Sequence, residues 1–176
     1  MITNKNITDD DLKFLREAIQ LAKEAEKAGN LPIGAVITID NEKITDGKNS
    51  IWKPTYKPDR HAEIEAIEKV PLNEWKHYER MTLYTTLEPC LMCLGKILIY
   101  RIGRVVFGSN DSHGGAVCVF GHMPFAFEHL LESTKWIGPA LPEECDELSR
   151  AVIEISKNAK NKEKRWPEPS LWDRIS

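Results

Sequence analysis

A histidine with a glutamate two residues on, His61-Ala62-Glu63, and two cysteines three apart behind a proline, Pro89-Cys90-Leu91-Met92-Cys93, constrain this chain more than any other feature. If the two segments act together, the fold must bring both to one point. One imidazole and two thiolates make three protein ligands for a zinc ion. A structural zinc site usually fills all four tetrahedral positions with protein, whereas a catalytic one keeps the fourth for water. Residues 61–70 place Ala62, Ile64, Ala66, Ile67 and Val70 among acidic residues, which predicts a helix with His61 in its first turn. Cys90 and Cys93, spaced i and i+3, share one face of a second helix that Pro89 introduces. The free N–H groups and positive dipole end of such a helix favour the thiolate, which is the form that binds metal. Glu63 is then placed to reach the metal's water without binding the metal. Taken singly, the cysteine pair also suits a redox couple or half of a structural zinc site, and His-x-Glu recurs by chance.

The rest of the chain supplies a frame for these segments. Its 176 residues, 41% hydrophobic with a formal net charge of −3, suit one domain with a sizeable core. No run approaches the roughly 18 apolar residues of a membrane span, and the N-terminus lacks the apolar centre of a signal peptide. A cytoplasmic location is expected. Cys118 and Cys145 lie far apart with no disulfide pattern and read as ordinary buried thiols.

Thr8 and Asp9 can cap a helix from Asp10 to Ala28 whose stripe of Leu12, Leu15, Ile19, Ala22 and Ala25 ends at Gly29. Ile33–Ile39 and Lys43–Gly47 read as strands joined by a turn at Asp40-Asn41, and a Pro-rich loop from Ile51 to Arg60 leads to His61. Met81–Thr85 is the next strand. It delivers the chain to Pro89 and to a helix from Cys90 to Tyr100 that is apolar on most sides, as a helix buried against a sheet should be. Arg104–Gly108 follows as a strand, so strand, helix and strand imply a right-handed parallel crossover. A helix over Phe125–Leu131, a strand at Lys135–Ile137 and a helix from Pro142 to about Lys160 complete a three-layer α/β/α sandwich with a mixed central sheet. Residues 1–156 form the main domain. Residues 157–176 contain a basic helix end and a Trp-rich C-terminal segment.

His-x-Glu followed by Pro-Cys-x-x-Cys is the recurring signature of zinc base deaminases, and the chain resembles the zinc-dependent cytidine deaminase superfamily. The resemblance covers most of residues 8–155. It is most detailed in Thr85-Thr86-Leu87-Glu88-Pro89-Cys90-Leu91-Met92-Cys93-Leu94-Gly95, in Tyr100-Arg101-Ile102-Gly103-Arg104-Val105-Val106-Phe107-Gly108, and in Leu31-Pro32-Ile33-Gly34-Ala35-Val36. These segments look like the branch with tRNA adenosine deaminases, guanine deaminases and fungal-type cytosine deaminases. The likeness implies the α/β/α fold, a homodimer, and zinc held by His61, Cys90 and Cys93. It also implies hydrolytic replacement of an exocyclic amino group by a carbonyl, with release of ammonia. Zinc lowers the pKa of water from about 15.7 towards about 7, and Glu63 would carry protons from that water to the ring nitrogen and the leaving amine. It nominates Asn49 as a hydrogen-bonding group for the base, since an amide is both donor and acceptor; Asn49-Ser50 also suits a turn.

Substrate class divides the reading. Trp172 and Asp173 lie in a segment with apolar area to bury, and they resemble the C-terminal segment that closes over a small base in related enzymes. A purine or pyrimidine base or nucleoside is therefore the leading substrate, with a tRNA adenosine deaminase as the alternative. The sequence Pro58-Asp59-Arg60 departs from the small residues common before the histidine in the tRNA and guanine enzymes. The basic run Lys157, Lys160, Lys162, Lys164 and Arg165 keeps RNA in view, although the net charge disfavours nonspecific phosphate binding. His113 and His122 are further candidates for substrate contact. A noncatalytic protein stabilised by zinc is the third reading.

Overall fold

In the computed structural model, residues 7–162 are described, with side chains to residue 158. The elements run α1 (Asp9–Lys27), β1 (Gly34–Ile39), β2 (Glu42–Lys48), α2 (Ala62–Glu68), β3 (Met81–Leu87), α3 (Leu91–Ile99), β4 (Arg104–Ser109), α4 (Phe125–Glu132), β5 (Lys135–Ile137) and α5 (Pro142–Lys162). The five strands form one sheet in the order β2-β1-β3-β4-β5. β1 is antiparallel to β2 and β3, while β3, β4 and β5 run parallel through the crossovers that α3 and α4 provide. The mixed α/β sandwich follows from this order. Among the described residues, no helix is long and apolar enough to cross a membrane.

Alternation along the strands sorts the core into two layers. Ala35, Ile37, Ile39, Leu83, Val105 and Phe107 face α2 and α3, whose Ala62, Ala66, Ile67, Leu94, Ile97 and Leu98 complete that core. Val36, Tyr84 and Val106 point the other way, onto Phe14, Leu15 and Ala18 of α1. The first turns of α5 add Cys145 and Leu148 beside Ile19 and Ala22.

Local chemistry sets the boundaries. Thr8 and Asp11 form a reciprocal capping box at the start of α1. Its end is a Schellman turn, in which Gly29 at φ +83° donates to Glu26 O and Asn30 donates to Ala25 O. The β1–β2 hairpin turns through Asp40 and Asn41, both at positive φ. Gly47 on edge strand β2 has no room for a side chain, because a Cβ there would overlap the Ala62 carbonyl and the Ala66 N–H of α2. Strand and helix therefore meet backbone to backbone.

One expectation is narrowed and one corrected. α3 is buried against the sheet as expected, but by one face only: Leu91 and Ile99 are 60% and 63% exposed, Met92 is 41% exposed, and a Cβ on Gly95 would meet nothing within 4 Å. These four share one helix face, while Cys93, Leu94, Ile97 and Leu98 take the buried face. High mean hydropathy therefore did not identify a fully enclosed helix. Cys118 is also exposed, with its thiol donating to Gly115 O at 3.3 Å, because the short 3₁₀ segment Ala116–Val119 turns Ala116 inward instead; Cys145 is buried.

Candidate active site

Both ligand segments reach the same end of the sheet through helix starts. His61 is the N-cap residue of α2, and Glu65 N–H donates to its carbonyl at 2.9 Å. Cys90 is the N-cap residue of α3, Leu94 N–H donates to its carbonyl at 2.8 Å, and Cys93 lies in the first turn. β3 and the short Glu88-Pro89 link deliver Cys90, which is why the thiolates follow that strand closely in sequence.

The three donor atoms form a nearly equilateral triangle. His61 Nδ1 is 3.6 Å from each sulfur, and the sulfurs are 3.7 Å apart. Tetrahedral zinc with Zn–S bonds of about 2.3 Å and a Zn–N bond of about 2.0–2.1 Å would set edges of about 3.6 Å and about 3.75 Å between its ligands. The donor set therefore fits zinc in chemistry and in size. Among the described residues, His61, Cys90 and Cys93 are the metal-binding cluster, with their ligand atoms within 4.8 Å of one another. Glu63 is outside the cluster and 3% exposed.

Protonation before metal binding is uneven. Cys90 falls to about 4, chiefly because the Cys93 thiol donates to its sulfur, with His61 adding to this against the cost of burial. Cys93 is pushed well above the usual thiol range because it keeps the shared proton and is buried. The Cys93 thiol and His61, and not the helix start alone, thus favour the Cys90 thiolate, while Cys93 in the first turn stays protonated against expectation, so zinc uptake must displace its proton. Burial pushes Glu63 up to about 7, against the opposing pull of His61. Burial also pulls His61 down, but the Cys90 sulfur and the charges of Glu63 and Cys90 outweigh it and leave His61 raised.

Asn49 is 1% exposed. Its backbone N–H donates to Ile33 O at 2.9 Å, and its Oδ1 accepts from Ile51 N–H at 3.3 Å, but its Nδ2 has no partner. An orphaned buried donor is costly unless something else satisfies it. Ser50 N–H donates to Arg60 O at 3.0 Å, so the residue after Asn49 lies against the residue before His61. Arg60 itself folds away onto α2, where it pairs with Glu65 at 2.6 Å and reaches Glu68 at 3.9 Å.

Other candidates are placed differently. His113 and His122 are exposed and outside the metal cluster, and Ser112 Oγ lies 3.0 Å from His113 Nδ1. Lys157 is exposed on α5. Trp172, Asp173, Lys164 and Arg165 lie outside the described residues, as do the side chains of Lys160 and Lys162. Sequence reasoning missed Asn30, whose buried Oδ1 accepts from Trp52 N–H and Lys53 N–H, both at 2.9 Å, and so anchors the loop before His61. An asparagine just beyond a helix end gives no signal that its partners lie more than twenty residues away.

Residues 8–109 match the family model of the cytidine and deoxycytidylate deaminase zinc-binding region. The tRNA-specific adenosine deaminase of Bacillus subtilis (strain 168) is 34% identical over 165 residues, which are 92% of this chain and 100% of that protein. A structure solved in work on A-to-I editing by tRNA:A34 deaminases at the wobble position of transfer RNA is 30% identical, with a TM-score of 0.61 over 72% of this chain and 98% of that one. Guanine deaminase from Bacillus subtilis is 25% identical, with a TM-score of 0.53 over 92% of this chain and 99% of that one. The chain belongs to the cytidine and deoxycytidylate deaminase zinc-binding family, whose zinc-dependent hydrolases act on the C–N bonds of nucleobases and nucleosides.

Proposed function

We propose that this deaminase acts on adenosine within a tRNA anticodon loop, converting it to inosine with release of ammonia. The observation that carries the chemistry is the His61-Cys90-Cys93 triangle with buried Glu63 beside it as a non-ligand. The full-length likeness to a tRNA-specific adenosine deaminase supports the choice of substrate over a free base.

When bound by His61, Cys90 and Cys93, zinc supplies the Lewis acidity that makes water a nucleophile near neutral pH. Glu63 takes the first proton of the attacking water and passes it to the ring nitrogen, then takes the second from the hydroxyl so formed and passes it to the amine as the C–N bond breaks, the carbonyl forms and ammonia leaves. Before metal binding, burial already pushes the Glu63 carboxyl up to about 7, and a carboxyl held beside the reacting atoms is a general acid and base. Asn49 holds the base, offering its orphaned Nδ2 as donor. We also propose a homodimer, formed through the exposed α3 face of Leu91, Met92, Gly95 and Ile99, which begins one residue after Cys90. A cytoplasmic location accords with this reading.

Ammonia release from the zinc-loaded protein tests the proposal, measured on an anticodon stem-loop, free adenosine, adenine, guanine, cytosine and isoguanine, with Glu63→Gln as control. Turnover of the stem-loop that vanishes in the control supports RNA deamination. Turnover of a free base or nucleoside alone overturns the RNA substrate in favour of a small one, the reading that Trp172 and Asp173 suggest from sequence.

A further inference from the structure

The loop after β4 returns to the metal site and is held there by a residue with no role so far. Ala116 N–H donates to Pro89 O at 2.9 Å, and Gly115 pairs with Cys90 in an isolated antiparallel bridge. Beneath this junction lies Glu88, only 8% exposed. Its Oε2 accepts from Asp111 N–H at 3.1 Å and its Oε1 from Val117 N–H at 2.9 Å, while its own N–H donates to Ser109 O at 2.8 Å. The carboxylate therefore ties together both ends of the loop. Gly115 sits directly over it, since a Cβ there would overlap the Glu88 carboxyl and the Asp111 carbonyl. Asp111 tightens the tip, its Oδ1 accepting from His113 N–H at 2.9 Å and Gly114 N–H at 3.1 Å.

Filling space does not explain this residue. A buried carboxylate is costly unless its charge is satisfied, and among the described residues Glu88 makes no ion pair. Its partners are two backbone N–H groups. Only a carboxylate offers acceptors at both ends of one planar group, since a glutamine would turn an amide donor against one of those N–H groups.

We propose that Glu88 is a positioning residue for the deaminase site. It clamps the 111–117 loop across the backbone of the ligand Cys90, fixing both that ligand and the loop itself. The role rests on the deaminase reading. It acts through the backbone of Cys90 and not by touching substrate.

The test has three readouts. In the zinc-loaded wild type, the Asp111, Ala116 and Val117 amides should exchange hydrogen as slowly as those of β3, although they lie outside any strand. Glu88→Gln should bind zinc with unchanged stoichiometry but lose at least tenfold of that protection and shift the cobalt–thiolate absorption bands of the cobalt-substituted protein. Its kcat should fall about 10–100-fold on whichever substrate the wild type turns over. Freely exchanging wild-type amides, or a variant with wild-type kcat and cobalt spectrum, would overturn the proposal. If Glu88→Gln does not fold, Gly115→Ala carries the test, because its Cβ pushes the loop off the same carboxylate. A displaced cobalt spectrum in that variant supports the clamp and an unchanged one overturns it. A wild type that deaminates nothing, yet gives the predicted exchange and cobalt results, fails the deaminase reading and not the clamp.

Discussion

Two buried polar clusters lie on opposite faces of the same sheet, and they are built on opposite principles. On the α1 face, Asp11 is 1% exposed and fully engaged. Arg104 reaches its two oxygens at 2.6 and 2.7 Å, Tyr84 Oη–H donates at 3.0 Å, and Thr8 N–H donates at 2.9 Å. Burial raises the Asp11 pKa, but the Arg104 and Thr8 hydrogen bonds outweigh it and hold it below the usual carboxylate value. On the α2–α3 face, Glu63 is as deeply buried, yet its pKa goes up, and Asn49 nearby keeps an unpartnered donor. The first cluster is closed and welds α1 to β3 and β4. The second gathers a donor set that fits zinc beside polar groups that find no partner within the described residues. A buried polar group whose needs are met within the chain serves stability; one whose needs are not met points to a ligand only beside a fitting donor set, since Thr38 Oγ1, Thr85 Oγ1 and Trp136 Nε1 are unpartnered too.

Glu63→Gln breaks the second cluster's function most severely. Turnover of the zinc-loaded enzyme should fall about 10²–10⁴-fold, with zinc content by atomic absorption unchanged, because a proton carrier and not a ligand is lost. The same variant should stabilise the metal-free protein. The ionised carboxylate of Glu63 costs nothing below pH 4.5, since there it is protonated in both folded and unfolded states. The cost grows between pH 4.5 and about 7 and is complete above that. The gain from Gln, read by urea unfolding, should follow that window and reach on the order of 3 kcal/mol. Arg104→Met breaks the first cluster instead. It should cost about 3–5 kcal/mol by stranding the Asp11 charge, while zinc binding and kcat measured well below the melting temperature stay as in the wild type. Asn49→Ala sharpens the contrast, raising KM about tenfold while changing stability by about 1 kcal/mol or less, because it removes an unpaired donor together with one long hydrogen bond. Zinc affinity should rise about tenfold per pH unit near neutrality for each proton released, with Cys93 supplying one; calorimetry in buffers of different ionisation enthalpy counts them.

The second cluster was legible in the sequence and the first was not. His61, Glu63, Cys90 and Cys93 sit in short motifs whose spacing reflects their chemistry, and the strands and helices around them carry clear periods of two and 3.6. Asp11, Tyr84 and Arg104 are joined across 73 and 93 residues, and no local pattern records such partners. For the same reason Glu88 read as part of a motif and not as a clamp, since Val117 lies 29 residues on. The two short 3₁₀ turns within Leu72–Arg80, broken by a kink at His77, lack a buried side that would have betrayed them. The exposed face of α3 escaped detection because hydropathy reports what a side chain prefers and not what covers it.

The contact at Gly47 has a consequence for inheritance. An edge strand is ordinarily where a sheet tolerates change, yet here any side chain larger than hydrogen would push directly on the backbone of Ala62 and Ala66, on the helix that bears His61 and Glu63. A mutation there would present as loss of zinc or of turnover, so a functional screen of this gene would score Gly47 with the catalytic positions although it touches no reacting atom.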